Sequence, residues 1–129
     1  MITPEQLAAS GTEHGAQSAV FCWAAINQAK YPQLKWMHSS GNGIFTTSGH
    51  KAKEKAAGLK NGVWDIFLPV PKLIGADYWS GMYIEMKVGK NNLTEDQKEF
   101  AKTMRDYYKL HVCRSWESAR DEIIKYLEK

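Results

Sequence analysis

Alternation of apolar and polar residues is clearest in two central stretches, GVWDIFLP and GMYIEMKV, which it predicts to be β-strands. Successive side chains of a strand point to opposite faces, so Asp65 lies on one face of the first strand, and Glu85 and Lys87 share one face of the second. Two carboxylates and one ammonium group can then meet within an otherwise apolar sheet. Because an unpaired charge is costly to bury, we expect these groups to be paired, neutralised or bound to a metal ion.

Helical spacing of apolar residues, preceded by N-cap residues, marks the flanking stretches. The pattern predicts a short helix in TPEQLAA, a longer helix from about Thr12 to Ala29, an exposed lysine-rich helix in KAKEKAAG, a helix capped by Thr94 and a last helix capped by Ser115. LKWMH and LHVCR are predicted to be short strands, and KLIGADYWSG a loop or hairpin connection. The order, roughly α-α-β-β-β-α-β-α, is typical of an α/β fold with a central mixed β-sheet flanked by helices.

Length and composition fit one packed core. The chain has 129 residues, 43% of them hydrophobic, which predicts a single domain over residues 1–129. Its net charge of +3 permits nucleic-acid binding without requiring it. Cys22 and Cys113 stand in no metal-ligand spacing, and we expect two reduced, buried thiols. No apolar stretch approaches the ~20 residues of a membrane-spanning helix and no signal-peptide pattern opens the chain, so we expect a soluble, cytoplasmic protein.

Asp65, Glu85 and Lys87 are residue types that suit phosphodiester hydrolysis. A phosphodiester resists attack because its anionic oxygens repel a nucleophile, and enzymes counter this repulsion with Mg²⁺ or Mn²⁺. The two carboxylates can hold such an ion, while Lys87 can orient the attacking water or stabilise developing negative charge. A structural ion-pair network of the same residues is the alternative, because the spacing Asp-x19-Glu-x-Lys is weakly specific by itself.

Several other polar residues admit both a structural and a functional interpretation. Glu13 and Gln17 lie one helical turn apart beside an apolar stripe, and Glu13 also suits the dipole at a helix start. Gln97 stands at N3 of a predicted N-cap, where a capping box accounts for it. A solvated helix face and contact with phosphates both account for the basic residues ahead of the first acidic strand, Lys51, Lys53, Lys55 and Lys60.

The order and spacing of several blocks together resemble a known family. Glu13 with Gln17, then GVWDIFLP, GMYIEMK and LTEDQKEF, and finally VCRSWESARDEIIKYL resemble the VRR-NUC domain of virus-type replication-repair nucleases, within the PD-(D/E)xK superfamily. The resemblance extends from about Glu13 to Leu127 and implies a restriction-endonuclease-like core. The chain departs from the superfamily motif at Trp64, where the motif has proline.

The resemblance implies a role for each matching position. Asp65 and Glu85 correspond to the metal-binding acidic pair, the carbonyl of Met86 to a further metal ligand, and Lys87 to the catalytic lysine. Glu13 resembles an additional acid near the metal. Gln17 and Gln97 resemble glutamines that line the site. The predicted contacts to DNA are Gln17, Asn42 in the Asn-Gly turn of SGNG, Lys51, Lys53, Lys55 and Lys60.

Small stand-alone members of this family are similar to phage proteins that act as homodimeric nucleases on branched DNA, including four-way (Holliday) junctions. The resemblance implies a Mg²⁺- or Mn²⁺-dependent DNA endonuclease, acting in the bacterial host cell if the protein is phage-encoded. Resolving a junction requires two cuts related by symmetry, and a C2 homodimer presents two identical sites. The alternative is a non-catalytic DNA-binding module of the same fold.

Overall fold

The computed structural model describes residues 1–41 and 48–128. Its helices are α1 (Pro4–Ala8), α2 (Glu13–Ile26), α3 (Ser48–Ala56), α4 (Glu95–Met104) and α5 (Trp116–Leu127), with a 3-10 helix at Pro32–Trp36. Its strands are β1 (His38–Ser39), β2 (Ile66–Leu68), β3 (Lys72–Ile74), β4 (Asp77–Trp79), β5 (Met82–Met86) and β6 (Lys109–Cys113). Each predicted helix therefore forms. In α1, α2, α4 and α5 a side chain caps the N-terminus by accepting a main-chain N–H bond, and these caps are Thr3, Thr12, Thr94 and Ser115.

The described strands form a mixed four-stranded sheet in the order β1-β2-β5-β6 and a separate two-stranded hairpin of β3 and β4. β2 runs antiparallel to both β1 and β5, whereas β6 is parallel to β5. A parallel pair needs a crossover connection, and α4 supplies it. The predicted α/β fold, with a central mixed sheet flanked by helices, is confirmed.

One face of the sheet is apolar and packs against α2 and α5. Ile66 on β2 and Ile84 and Met86 on β5 are almost completely buried. They share a core with residues of the two helices, among them Ala19, Val20, Ala119 and Ile123. Full burial of an Ile or Met side chain contributes about 1.5–3 kcal/mol. This layer therefore holds β5 firmly at the centre of the sheet.

The opposite face of the sheet carries the charged and aromatic residues. Alternation along the strands puts Asp65 and Phe67 on this face, together with Tyr83 and Glu85. α4 lies beside it, and the ring of Phe100 meets that of Tyr83 edge-on at a centroid distance of 5.0 Å. The residues able to carry chemistry are therefore gathered on one side of the sheet.

The prediction of a strand at LKWMH is wrong for most of its length. Pro32 begins a 3-10 helix that runs to Trp36, and only His38–Ser39 pair with β2. Proline starts a helix readily because its φ is fixed near the helical value and its missing N–H is not needed there. Leu34 and Met37 are buried and Trp36 is exposed, a spacing of three that fits a 3-10 helix, whereas a strand would put Leu34 and Trp36 on the same face.

KLIGADYWSG forms the β3–β4 hairpin, one of the two connections that its composition allowed. Gly75 at the bend has a φ of +63°, a conformation that side-chain-bearing residues rarely adopt.

Across the described residues, no helix combines the length and the apolar character needed to cross a membrane.

Candidate active site

Asp65 and Glu85 lie opposite each other on neighbouring strands, and each carboxylate is held by the main chain of the other strand. The N–H of Asp65 donates to Oε1 of Glu85 at 3.2 Å, and the N–H of Met86 donates to Oδ2 of Asp65 at 3.0 Å. These two bonds occupy the place where regular β2–β5 pairing ends. The end of the strand pair therefore positions both carboxylates.

Two further side chains converge on the same oxygen of Glu85. Nζ of Lys87 lies 3.5 Å from Oε2 of Glu85, and Nε2 of Gln97 donates to that oxygen at 2.9 Å. Oε1 of Gln97 accepts the main-chain N–H of Thr94 at 2.9 Å, which completes a capping box at the start of α4. Gln97 therefore serves as both the capping residue and a contact of Glu85, the two interpretations that its position allowed.

Burial dominates the electrostatics of the acidic pair. Glu85 is only 2% exposed and Lys87 only 6%. Burial, and next the negative charge of Asp65, raise the pKa of Glu85 from 4.5 to about 8 despite the opposing attraction of Lys87. Burial also raises the pKa of Asp65, against the effect of its hydrogen bond from Met86. One ammonium group faces two carboxylates, so the site favours uptake of a proton or a cation.

Trp64, the residue in the place of the motif proline, ties the acidic strand to α4. Its side chain is 3% exposed, and its Nε1–H donates to the main-chain carbonyl of Gln97 at 3.0 Å. The indole also packs beside the ring of Phe100, at a centroid distance of 6.2 Å. The departure from the motif therefore has a structural reason, because proline has no group able to make this link.

Glu13 lies near enough for its charge to contribute to the raised pKa of Asp65. Its Oε2 accepts a hydrogen bond from Nδ2 of Asn91 at 2.7 Å. Arg114 holds this loop in place, because its Nη1 donates to the main-chain carbonyls of Asn91 at 2.7 Å and Gly89 at 3.2 Å. Sequence reasoning missed Asn91 and Arg114, since neither stands in a motif or an apolar pattern that marks a contact with Glu13.

Gln17 points to β1 rather than to the acidic pair. Its Nε2 donates to Oγ of Ser39 at 3.1 Å, and the same hydroxyl accepts the main-chain N–H of Gly41 at 3.1 Å. The main chain of Ser40 in turn donates to the carbonyl of Asp65 at 2.9 Å. Gln17 is therefore connected to the site through the strand beside it.

The basic residues predicted to contact DNA lie on the surface, ahead of β2. α3 carries three exposed lysines, and a fourth follows in the connection to β2: Lys51, Lys53, Lys55 and Lys60. Asn42, the remaining predicted DNA contact, lies outside the described residues. The exposed lysines leave phosphate contact available as a role, and their exposure equally fits a solvated helix face.

Within residues 1–41 and 48–128, no group of three or more His, Cys, Asp or Glu side chains is arranged to hold a metal ion. The acidic pair nevertheless fits a hard cation such as Mg²⁺, which usually takes one or two carboxylates and completes its shell with water and substrate phosphate. The carbonyl of Met86 points to the same side of β5 as its N–H, which is the side of Asp65. Asp65, Glu85 and this carbonyl are therefore suitable oxygen donors.

Comparison with known proteins bears on the fold. No protein-family model matches this sequence, and no curated protein matches it. A solved structure described as a "VRR_NUC domain protein" superposes with a TM-score of 0.69 at 23% sequence identity, covering 91% of this chain and 88% of that one. The chain is thus an α/β protein of nuclease fold. Its fold is that of a VRR-NUC domain, and the resemblance found in the sequence blocks is confirmed at that level.

Proposed function

We propose that this protein is a divalent-metal-dependent DNA endonuclease that cleaves four-way junctions or other branched DNA by hydrolysing phosphodiesters. The observation that carries the proposal is the pairing of the Asp65 and Glu85 carboxylates beside the buried ammonium group of Lys87. This arrangement lies in a chain of VRR-NUC fold. A purely structural ion-pair network would gain little from one buried and one partly buried carboxylate sharing one cation.

Asp65 and Glu85 would hold Mg²⁺ or Mn²⁺, with the carbonyl of Met86 as a third protein ligand. The ion, when bound, neutralises phosphate charge and polarises the scissile phosphodiester. Glu85 keeps its side chain in place because Gln97 and the N–H of Asp65 each bond one of its oxygens. Glu13 adds negative charge at the same end of the sheet.

Lys87 has the role of positioning the attacking water or stabilising negative charge on the phosphate. Its ammonium group lies 3.5 Å from Glu85 and is almost fully shielded from solvent. A cation in such a place keeps more of its electrostatic effect than one in bulk water, because the local dielectric constant is lower. Loss of a single group of this kind typically costs about 10²–10³-fold in rate.

The same proposal includes a homodimer that presents two sites to a branched substrate. Two symmetric cuts need two identical sites, which a C2 dimer supplies. The exposed lysines of α3 and Gln17 beside β1 would contact the DNA, together with Asn42. The proposed location is the cytoplasm, that of the bacterial host if the protein is phage-encoded.

The test is a cleavage assay with end-labelled four-way junction, flap and linear duplex, each with Mg²⁺, Mn²⁺ or EDTA. We expect metal-dependent cleavage of branched substrates that is lost in Asp65→Asn and reduced by about 10²–10³-fold in Lys87→Ala. Lys125→Ala is the matched control, because Lys125 is an exposed lysine on α5, across the sheet from the acidic pair. Unchanged cleavage by Asp65→Asn would overturn the assignment of the site.

A non-catalytic DNA-binding module is the second candidate, and the exposed lysines on α3 favour it. It predicts tight, salt-sensitive binding of branched DNA with no cleavage in any divalent metal. Calorimetric titration with Mn²⁺ further distinguishes the endonuclease from the non-catalytic module. The endonuclease proposal requires Mn²⁺ binding that Asp65→Asn abolishes, whereas a binding module without a metal site shows none.

A further inference from the structure

A row of aromatic rings crosses the sheet directly beside the acidic pair. Strand register aligns His38 of β1 with Phe67 of β2, and Phe67 with Tyr83 of β5. Asp65 and Glu85 form the next row on the same face, two residues further along their strands. Two residues of a strand span about 7 Å, so the aromatic row and the acidic row are immediate neighbours.

The rings form an ordered cluster. Phe67 and Tyr83 stack with centroids 4.4 Å apart and an interplanar angle of 22°. His38 meets Phe67 edge-on at 5.6 Å, and Tyr108 supports both stacked rings from the side at 5.7 and 5.2 Å. Phe67 and Tyr83 are only partly buried, so this cluster is not sealed inside the core.

An open cavity of about 190 Å³ lies over this cluster. The rings of His38, Phe67 and Tyr83 line it, together with Ser40, Val63 and residues 58–60. Residues 58–60 belong to the connection between the lysine-bearing helix α3 and Asp65. The cavity therefore stands between a basic surface and the acidic pair, where a DNA strand running from one to the other would pass.

We propose that this cavity receives one unpaired nucleobase of the DNA strand beside the cleaved phosphodiester. A flat heterocycle stacks on aromatic side chains whatever its identity, and the lining also includes the polar Ser40 and the cationic Lys60. A base inside a continuous duplex stays within its stack and does not reach such a cavity unless it is extruded. The cavity thus selects branch points, flaps and single strands over intact duplex. The inference rests on the DNA-binding part of the proposed function.

The first experiment uses wild-type protein in EDTA, so that no strand is cut, with flap DNA carrying 2-aminopurine at each nucleotide around the branch in turn. We expect a several-fold loss of fluorescence at one position, as the base stacks on the rings. Replacing that nucleotide by an abasic site should weaken binding about 5- to 150-fold, which corresponds to the ~1–3 kcal/mol of one stacked base. Equal binding of abasic and normal flaps at every position would overturn the proposal.

Substitutions test whether the loss of binding caused by an abasic site depends on the residues of this cavity. Phe67→Leu and His38→Ala should each reduce the difference between normal and abasic flap, and Tyr83→Phe should preserve it, since the ring remains. Because His38 is exposed, His38→Ala tests the cavity even if Phe67→Leu does not fold. The matched control is Tyr107→Ala, which removes an exposed ring outside the cavity. A reduction as large in Tyr107→Ala would contradict the assignment to this cavity.

Failure of the cavity proposal is distinguishable from failure of the nuclease proposal. Asp65-dependent cleavage that proceeds equally on normal and abasic flaps refutes the base pocket and leaves the endonuclease standing. An abasic penalty and fluorescence quenching without cleavage in any metal ion support the base pocket and refute the endonuclease.

Discussion

The indole N–H of Trp64 donates to the main-chain carbonyl of Gln97 at 3.0 Å, while the side chain of Gln97 bonds Glu85. Trp64 directly precedes Asp65, so a short chain of contacts joins both acidic residues through the first turn of α4. Gly62 allows the chain just before Trp64 to approach the first turn of α4 closely. Its φ is +92°, and an added Cβ would lie 2.6 Å from the carbonyl oxygen of Asp96. α4 is therefore part of the site's framework rather than a cover over it.

Substitution of Trp64 should show how much this link contributes. Trp64→Phe keeps most of the ring packing and removes the donor, and we expect a loss of about 0.5–1.5 kcal/mol in unfolding free energy. Trp64→Pro restores the motif residue but removes a buried indole, so we expect a loss of about 3–5 kcal/mol. Urea denaturation measures both. Wild-type stability in Trp64→Pro would show that the indole has no structural role.

The two roles of Gln97 can be separated by one substitution. Gln97→Glu keeps the oxygen that accepts the N–H of Thr94, but it replaces a donor to Glu85 by a like charge. We expect it to destabilise the fold by about 1–3 kcal/mol near pH 8, and by less near pH 5. Gln6→Glu is the matched control, because Gln6 forms the same capping box on α1 with Thr3. Equal losses in the two variants would mean that only capping matters.

Stability without metal should fall as the pH rises. In the folded protein the pKa of Glu85 is raised from 4.5 to about 8, so the folded state binds more protons than the unfolded state between these values. The free energy of unfolding therefore decreases across this range, by about 1.4 kcal/mol at most for each pH unit per proton. Urea denaturation in EDTA from pH 5 to 8 measures the slope, and Glu85→Gln should flatten it.

Mn²⁺ should reverse that loss. In the proposed site the ion would compete with protons for the Asp65 and Glu85 carboxylates, so we expect its stabilising effect to grow with pH and to be absent from Asp65→Asn. Thermal unfolding with and without Mn²⁺, at pH 6 and pH 8, provides the comparison. An equal increase in Tm for wild type and Asp65→Asn would place the ion elsewhere.

The lysines of α3 should affect DNA affinity and its salt dependence rather than stability. Each lysine that neutralises a phosphate contributes about one unit to the slope of log affinity against log salt. Replacing Lys51, Lys53 and Lys55 by serine should therefore reduce that slope by up to about three units and leave Tm within a few degrees. Binding of flap DNA in EDTA at several salt concentrations measures it, with Lys125→Ser as control.

Local patterns were sufficient to predict the sheet and the acidic face. Alternation in the two central strands placed Asp65 and Glu85 on one side, and N-cap residues such as Thr94 marked where the helices begin. Both signals lie within a few residues of the feature that they predict. The 3-10 helix that begins at Pro32 was missed because Leu34, Lys35 and Trp36 alternate like a strand, although the proline and the apolar Met37 run against that pattern.

The supporting contacts of the site were not predictable in the same way. The bond from Trp64 to Gln97 spans 33 positions of sequence, and that from Asn91 to Glu13 spans 78. Such contacts depend on how two elements meet in space, and no spacing within either element encodes them. The resemblance to a family placed Gln97 in the site, but it left Trp64 as a departure and did not mark Arg114.

The two sides of the acidic pair differ in how firmly the sheet restrains them. Glu85 lies within the five-residue strand β5, whereas Asp65 precedes the three-residue strand β2. Amide exchange should accordingly be slowest around Glu85 and faster around Asp65. In the proposed metal site, Ca²⁺ in place of Mg²⁺ would lengthen each metal–oxygen bond by about 0.3 Å, and we expect the Asp65 side to absorb that change. In the proposed metal site, we therefore expect the tolerance for different ions to depend on the shorter strand.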